Sequence, residues 1–530
     1  MSQHDLHLDR RTVLTAAGVA TAALVTTTAL PGAAAPAAPA RPSASVTDFG
    51  ADPTGVEHAA AAFQACLDSL AASGGTVLVP PGTYLLAGEQ VVELRSNVDI
   101  VGENATIVRR ERTGSYVVFV GLSHGRQGRR SGVTNVTMRG LTFRGVFRDA
   151  GESASICAMA LHHCADIRVE DCEFVECQGG AGHTFDLCGC DDISFTGCTW
   201  RGYHVVPDIA PTAETIQLDI SHSTTVSYPD DAGSYDALAT RSVTIERCRF
   251  LPLELDGEVW PAPNPVGAHF EQEGQPYSGL VLRDVEIVDP ASDPRPAENG
   301  DNVRPPRGII HVPQIQDALL ENVTVRSTTG QTTNRVLMFT SNSWGRLISD
   351  ANIPGSRGYY AEPVLCSNID IRNLVVEGFA SDPAEDPAQN PVIWISGVDG
   401  GPAEDISISA TIRDGGATAV AITKARRVHA SLEVAAYARG LDITGATDVR
   451  LTGSSFDDVD QPVVLTGVDD FGVHGSRGTH TTRQDAALTL DAATDHGVIA
   501  GTRWSGYDVL RTGGGADIAE HGNSVTPGPA

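Results

Sequence analysis

Residues 192–200 read Asp192-Ile-Ser-Phe-Thr-Gly-Cys-Thr-Trp200, and two other stretches say nearly the same thing: Asp166-Ile-Arg-Val-Glu-Asp-Cys-Glu-Phe174 and Ser242-Val-Thr-Ile-Glu-Arg-Cys-Arg-Phe250. Each alternates apolar and polar residues with a period of two, then ends in cysteine and an aromatic. Alternation of this kind is the pattern of a strand with one buried face. Weaker copies surround them: Asn135-Val-Thr-Met138, Gly279-Leu-Val-Leu282, Ala318-Leu-Leu-Glu321, Asn368-Ile-Asp-Ile371, Asp405-Ile-Ser-Ile408 and Asp448-Val-Arg-Leu451. A strand that recurs every twenty to fifty residues or so marks a repeat architecture, in which no unit buries its apolar face alone.

The copies run from about residue 95 to the C-terminus of the 530-residue chain. Helix patterns are scarce, glycine is plentiful (55), and β-branched residues crowd the motifs. These features predict an all-β solenoid forming a single domain over residues 41–530: an N-terminal cap at about 45–90, groove-forming coils and loops at about 155–345, and C-terminal coils at about 365–525. A formal charge of −29 repels nucleic acid and anionic membranes, so neither is expected as a partner. Lys424 is the only lysine, which leaves no lysine to act as a base near the site described below.

The first forty residues read differently. Arg10-Arg11-Thr-Val-Leu14 precedes a small-residue apolar run from Ala16 to Leu30, then Pro31-Gly32 and an alanine/proline stretch. This is the pattern of a twin-arginine export signal, with cleavage expected between Ala33 and Ala40. The run is short and alanine-rich for a membrane span, so the mature protein is expected to be secreted without stable membrane insertion. The sequence carries no signal of oligomeric state.

An exported chain with ten cysteines invites a disulfide framework, but the positions argue for another arrangement. Cys172, Cys198 and Cys248 occupy one slot of the repeat, and Cys164, Cys190 and Cys366 share another. Stacked identical residues are what a solenoid interior produces, where free cysteine behaves as a small hydrophobe. Cys188-Gly-Cys190 has the wrong spacing for a zinc knuckle.

Ahead of the repeats, Ser45-Val-Thr-Asp-Phe-Gly-Ala-Asp-Pro-Thr-Gly55 leads into an amphipathic segment from about Glu57 to Ala72, with Phe63, Cys66, Leu67 and Leu70 on one face. Gly74-Gly-Thr-Val-Leu-Val-Pro-Pro-Gly-Thr-Tyr84 follows. A short helix here would cap the open end of the first coil and shield its edge. This block resembles the opening of the pectate-lyase-superfamily and glycoside-hydrolase-28-related proteins: a D-F-G-A segment, a helix, then G-G-x-V-x-x-P-x-G-x-Y. It departs where that family has paired aspartates, since Val56, Glu57 and His58 stand here. The resemblance implies a right-handed parallel β-helix with a short N-terminal capping helix and, more loosely, action on polysaccharides. It names no reaction, because one fold hosts many.

About eight residues before several repeat strands lies a second short strand: Ala158-Met-Ala-Leu161, Thr184-Phe-Asp-Leu187, Gln217-Leu-Asp-Ile220, Gly267-Ala-His-Phe270, Ile309-Ile-His-Val312 and Val392-Ile-Trp-Ile395. With the apolar second and fourth positions inward, the third faces outward. That outward column reads Ala160, Asp186, Asp219, His269, His311 and Trp394, and Gln217, Glu271 and Arg307 share its face. Carboxylates on adjacent coils are held too close for both to ionise freely, so one becomes a proton donor. Asp186 and Asp219 are the candidate catalytic pair, with Glu214 as second choice. His269, His311, Gln217, Glu271, Arg307, Trp260 and His183 are the candidate substrate-binding residues. His183 also reads as a partly buried residue at the strand start.

The longest breaks in the rhythm, about 202–213, 221–240, 251–265 and 289–306, adjoin this column and carry Tyr203, Tyr228, Tyr235 and Trp260, expected as an aromatic wall on which sugar rings stack. The leading expectation is a glycoside hydrolase with a carbohydrate substrate and no cofactor or metal. The alternatives are a polysaccharide lyase, for which the resemblance allows calcium as a cofactor, and a non-catalytic glycan-binding or structural β-helix.

Overall fold

The computed structural model describes residues 41–86, 90–109, 116–145, 156–179, 182–204, 214–268, 270–272, 274–291, 308–330, 335–341, 346–347, 365–379 and 391–529. The export-signal motif therefore lies outside the described residues, as do His269 and Arg307. Arg41–Ala530 form one compact unit.

The three quoted repeats stack as parallel strands in one register. Ile167 pairs with Ile193, and Ile193 with Val243; Val169, Phe195 and Ile245 follow two residues on. All six side chains enter one continuous core. The terminal aromatics stack too, with Phe174 level with Trp200 and Trp200 level with Phe250. Their rings, joined by Phe143, form a column with centroid spacings of 5.2, 4.9 and 4.7 Å and interplanar angles of 16° or less. Each fully buried aromatic contributes roughly 1.5–3 kcal/mol by burial alone. Successive turns of the chain thus build a right-handed parallel β-helix, with the repeat strands, the strands that follow them and the second short strands forming its three faces.

The first residue of nearly every copy makes the corner; in the copy at Ala318 the preceding Asp317 does, with φ 58°. Asn135, Asp166, Asp192, Ser242, Asn368, Asp405 and Asp448 all have φ between 54° and 57°. That left-handed conformation costs an ordinary L-residue roughly 1–2 kcal/mol, and asparagine and aspartate bear it best because their short side chains bond locally. The corner side chains also bond from coil to coil: Asn135 Nδ2 donates to Asn97 Oδ1 at 2.8 Å, and Asn368 Nδ2 to Asp317 Oδ1 at 2.8 Å.

The N-terminal cap is the expected helix, α1 (Ala60–Leu70), whose buried residues include Phe63, Cys66, Leu67 and Leu70. Phe63 meets Tyr84 of the following strand edge-on at 5.6 Å. All ten cysteines are free and buried. Eight of them, including both predicted ladders, line the core, whereas Cys157 and Cys188 lie outside it.

Candidate active site

Five strands of one face carry the candidate residues: β1 (Cys157–His162), β2 (Phe185–Cys188), β3 (Glu214–Asp219), β4 (Asn264–Ala268) and β5 (Ile310–Pro313). Each runs parallel to the next. Phe185 and Leu187, then Ile216 and Leu218, point into the core, so Asp186, Cys188, Gln217 and Asp219 point away from it.

The register differs from the expected one by two residues on β3. Asp186 stands level with Gln217, and Asp219 stands level with Cys188. One row reads Ala160, Asp186, Gln217, Gly267 and His311, continuing to Met338 and Trp394. The other reads His162, Cys188 and Asp219. Ile216, Leu218 and Ile220 offer three apolar residues in alternation, and a slip of two keeps every side chain on its face. Parity was therefore readable from the sequence, but height along the stack was not.

The two carboxyls nevertheless meet. An oxygen of Asp186, an oxygen of Asp219 and the Cys188 sulfur all lie within 4.8 Å of one another. Cys188 Sγ donates to Asp186 Oδ1 at 3.2 Å, the Ser227 backbone N–H donates to Asp186 Oδ2, and Gln217 Nε2 donates to Asp219 Oδ2. Asp219 Oδ1 has no hydrogen-bond partner among the described residues. The outward face is not an open groove: Asp186 is 1% exposed, Asp219 0%, and Gln217 and His311 4% each. Residues Ser221–Thr240 lie over it, through Ser227 on Asp186 and Thr225 Oγ1 at 3.9 Å from Cys188 Sγ.

Burial raises both carboxyls and the thiol. It pushes Asp186 up to about 6, against the opposing bonds from Ser227 and Cys188. Asp219 rises well above the carboxylate range through burial and the adjacent charges of Asp186 and Glu214. The Cys188 thiol is raised for the same reasons, burial first. Asp219 is thus raised further than Asp186, an inequality of the kind that acid–base chemistry uses.

The remaining candidates divide. Glu214 is fully buried at the start of β3, level with Asn264, and His183 Nδ1 lies 3.8 Å from its Oε1 and 3.3 Å from its backbone oxygen. His311 belongs to the Asp186 row, and its Nδ1 donates to the Gly308 oxygen at 2.8 Å. Its ring occupies the place a side chain on Gly267 would take: a Cβ there would stand 2.3 Å from His311 Cε1. Trp260 sits apart, in a hairpin pairing Leu253–Leu255 with Glu258–Trp260, its ring 5.2 Å from His204. Glu271 is buried in a separate two-stranded sheet with Arg346–Leu347, not in the column. Of the expected aromatic wall, Tyr203 is fully buried and Tyr228 packs on an apolar patch of Val117, Val120, Cys157 and Ala160, whereas Tyr235 and Trp260 are half-buried. Sequence reasoning passed over Cys188 and Gly267. The parity of Cys188 with Asp186 was the available signal for the first.

The thiol and two carboxyls also form a donor set for a divalent ion. Calcium takes six to eight oxygen ligands, so a cluster containing a thiol does not fit it.

A family model described as rhamnogalacturonase A/epimerase, pectate lyase-like, matches residues 43–176, the cap and the first coils. The fold is that of the pectate-lyase-like parallel β-helices. No curated protein sequence matches the chain. Among solved structures, the surface adhesin PfbA of Streptococcus pneumoniae is 15% identical, with 91% of each chain covered and a TM-score of 0.45. The catalytic unit of a GH87 α-1,3-glucanase from Streptomyces thermodiastaticus is 13% identical over 93% of this chain and 70% of that one, with a TM-score of 0.43. A family 28 exopolygalacturonase of Yersinia enterocolitica is 10% identical over 92% and 79%, with a TM-score of 0.38. These likenesses are of fold alone.

Proposed function

We propose that the protein is a secreted glycoside hydrolase acting on a polysaccharide or oligosaccharide, with Asp219 as the proton donor and Asp186 as its carboxylate partner. The observation that carries this reading is the meeting of two carboxyls from adjacent coils within 4.8 Å, in surroundings that raise Asp219 further than Asp186. Two carboxyl groups in unlike states are the working parts of glycosidic bond cleavage. The match of the first coils to a rhamnogalacturonase/epimerase model supports a carbohydrate substrate. Export by the twin-arginine route, argued from Arg10-Arg11 and the apolar run after it, belongs to the same reading. No helix among the described residues is long and apolar enough to cross a membrane.

A polysaccharide lyase has less support. Among the described residues no arginine or lysine bonds either carboxyl, and the one lysine, Lys424, is paired with Asp399 at 2.8 Å. The non-catalytic reading has a specific observation behind it, the burial of both carboxyls.

A panel of neutral and acidic glycans separates the three. A hydrolase releases reducing ends without ultraviolet absorbance, whereas elimination leaves a double bond absorbing near ~235 nm. Reducing ends alone support the proposal. Absorbance gain, or binding without turnover across the panel, overturns it.

A further inference from the structure

The carboxyls that the proposed reaction needs lie under one polar segment, Ser221–Thr240. Its only regular elements are a short turn of 3-10 helix at Ala232–Ser234 and an isolated bridge from Ile220 to Ala239. Two carboxylates tie it down, Asp230 buried and Asp236 partly so. Asp230 accepts from the Ser123 backbone N–H at 2.7 Å, the Ser123 hydroxyl at 2.9 Å, the His124 N–H at 3.1 Å and His162 Nδ1 at 2.8 Å. Asp236 accepts from the Gly128 N–H at 2.7 Å and lies 3.2 Å from His163 Nε2. Tyr235 stacks on His162 at 5.2 Å.

Ser221 Oγ lies 2.7 Å from His162 Nε2, so Ser221, His162 and Asp230 have the spacing of a nucleophile, base and orienting acid. Their surroundings assign them another task. Ser221 is fully buried, its hydroxyl also meets His163 Nε2 at 3.0 Å, and it accepts the Asp236 N–H at 3.3 Å. Every bonding direction of that oxygen is engaged in holding the segment down. Burial and His163 push His162 down to about 4, so the neutral ring gives its Nδ1 proton to Asp230 and accepts from Ser221.

We propose that Ser221–Thr240 is a lid latched by Asp230 and Asp236, whose release opens Asp186 and Asp219 to substrate. The opening lifts Tyr228 from the apolar patch of Val117, Val120, Cys157 and Ala160, which would give the apolar face of a sugar ring a surface next to the carboxyls. The inference rests on the reading of that pair as the reactive centre. It adds how the pair is reached: the segment bonds Asp186 through the Ser227 N–H, which a bound substrate displaces.

Cys188 is a built-in reporter, because it lies beneath the lid while Cys198 and Cys248 lie in the core. The experiment labels the folded full chain with methyl methanethiosulfonate and follows each thiol by peptide mass spectrometry, in wild type, Asp230→Asn and Asp236→Asn. Loss of a charge-assisted latch bond is expected to speed Cys188 labelling about tenfold or more, with Cys198 and Cys248 unchanged. Equal acceleration of all three thiols, or none in either variant, overturns the lid. Faster Cys188 labelling with altered kcat/KM on an active glycan supports both the lid and the reactive centre. Faster labelling on a chain in which Asp219→Asn leaves turnover unchanged supports the lid and removes the reactive-centre reading.

Discussion

Replacing Asp186 by asparagine tests the electrostatics of the site without requiring a substrate. The carboxyl is fully buried and its pKa is raised from 3.8 to about 6. Below the unfolded value both states are protonated and the shift has no effect on stability. Between the two values the native state binds more protons than the unfolded chain, so stability falls as pH rises, and the full penalty is present above the folded value. A shift of roughly two units corresponds to about 3 kcal/mol. The unit spanning Arg41–Ala530 has an unfolding entropy on the order of 1 kcal/mol per kelvin, so the penalty is worth about 3 °C in Tm. Asparagine is neutral throughout. Scanning calorimetry of both proteins at about pH 4 and about pH 7.5 is therefore expected to show the Tm of Asp186→Asn, relative to wild type, rising by about 3 °C between them. The loss or gain of individual hydrogen bonds shifts both differences equally and cancels. A relative Tm that is flat with pH, or that falls, refutes the claim that burial dominates this carboxyl.

Three further outcomes follow from the packing. Trp200→Ala leaves a hole in the middle of the aromatic column and is expected to cost about 3–5 kcal/mol, read as a lower denaturant midpoint. Asp192→Val places a β-branched residue at φ 57° and is expected to destabilise by about 1–2 kcal/mol or more, whereas Asp192→Gly is tolerated; equal midpoints for the two would remove the corner argument. Gly267→Ala drives a methyl into the His311 ring and is expected to cost about 1–3 kcal/mol while displacing that ring, visible as a shifted histidine signal by NMR.

The fold was legible because its evidence is repeated. Ile167, Ile193 and Val243, and the aromatics after them, fall in register with no insertion inside the motif, so their alignment was unambiguous. The first residues of the copies carry a second signal, since aspartate, asparagine, serine and glycine mark left-handed corners. The site was legible only in part. Alternation put Asp186, Gln217 and Asp219 on one face, but it repeats every two residues and left Asp219 a step too low, level with Ala160 and Asp186 instead of His162 and Cys188. Burial was not legible at all. Residues 221–240 read as a loop rich in aspartate and tyrosine, and much of what holds them down, beside His162 and His163, is the Ser123, His124 and Gly128 backbone about a hundred residues earlier. Backbone donors leave no mark in a sequence. The same blindness made Tyr228 read as part of an open aromatic wall when it is a plug over an apolar patch.

The central claim is that the carboxyl pair is the reactive centre, and its most direct test is the turnover of Asp219→Asn beside wild type on the glycan most rapidly cleaved in the panel. The substitution keeps the side chain's size and hydrogen-bonding surface and removes the proton that the donor transfers. In Asp219→Asn kcat is expected to fall by about 10²–10⁴, with an unchanged circular-dichroism spectrum and a denaturant midpoint at least as high as wild type. A folded Asp219→Asn protein that retains wild-type kcat contradicts it.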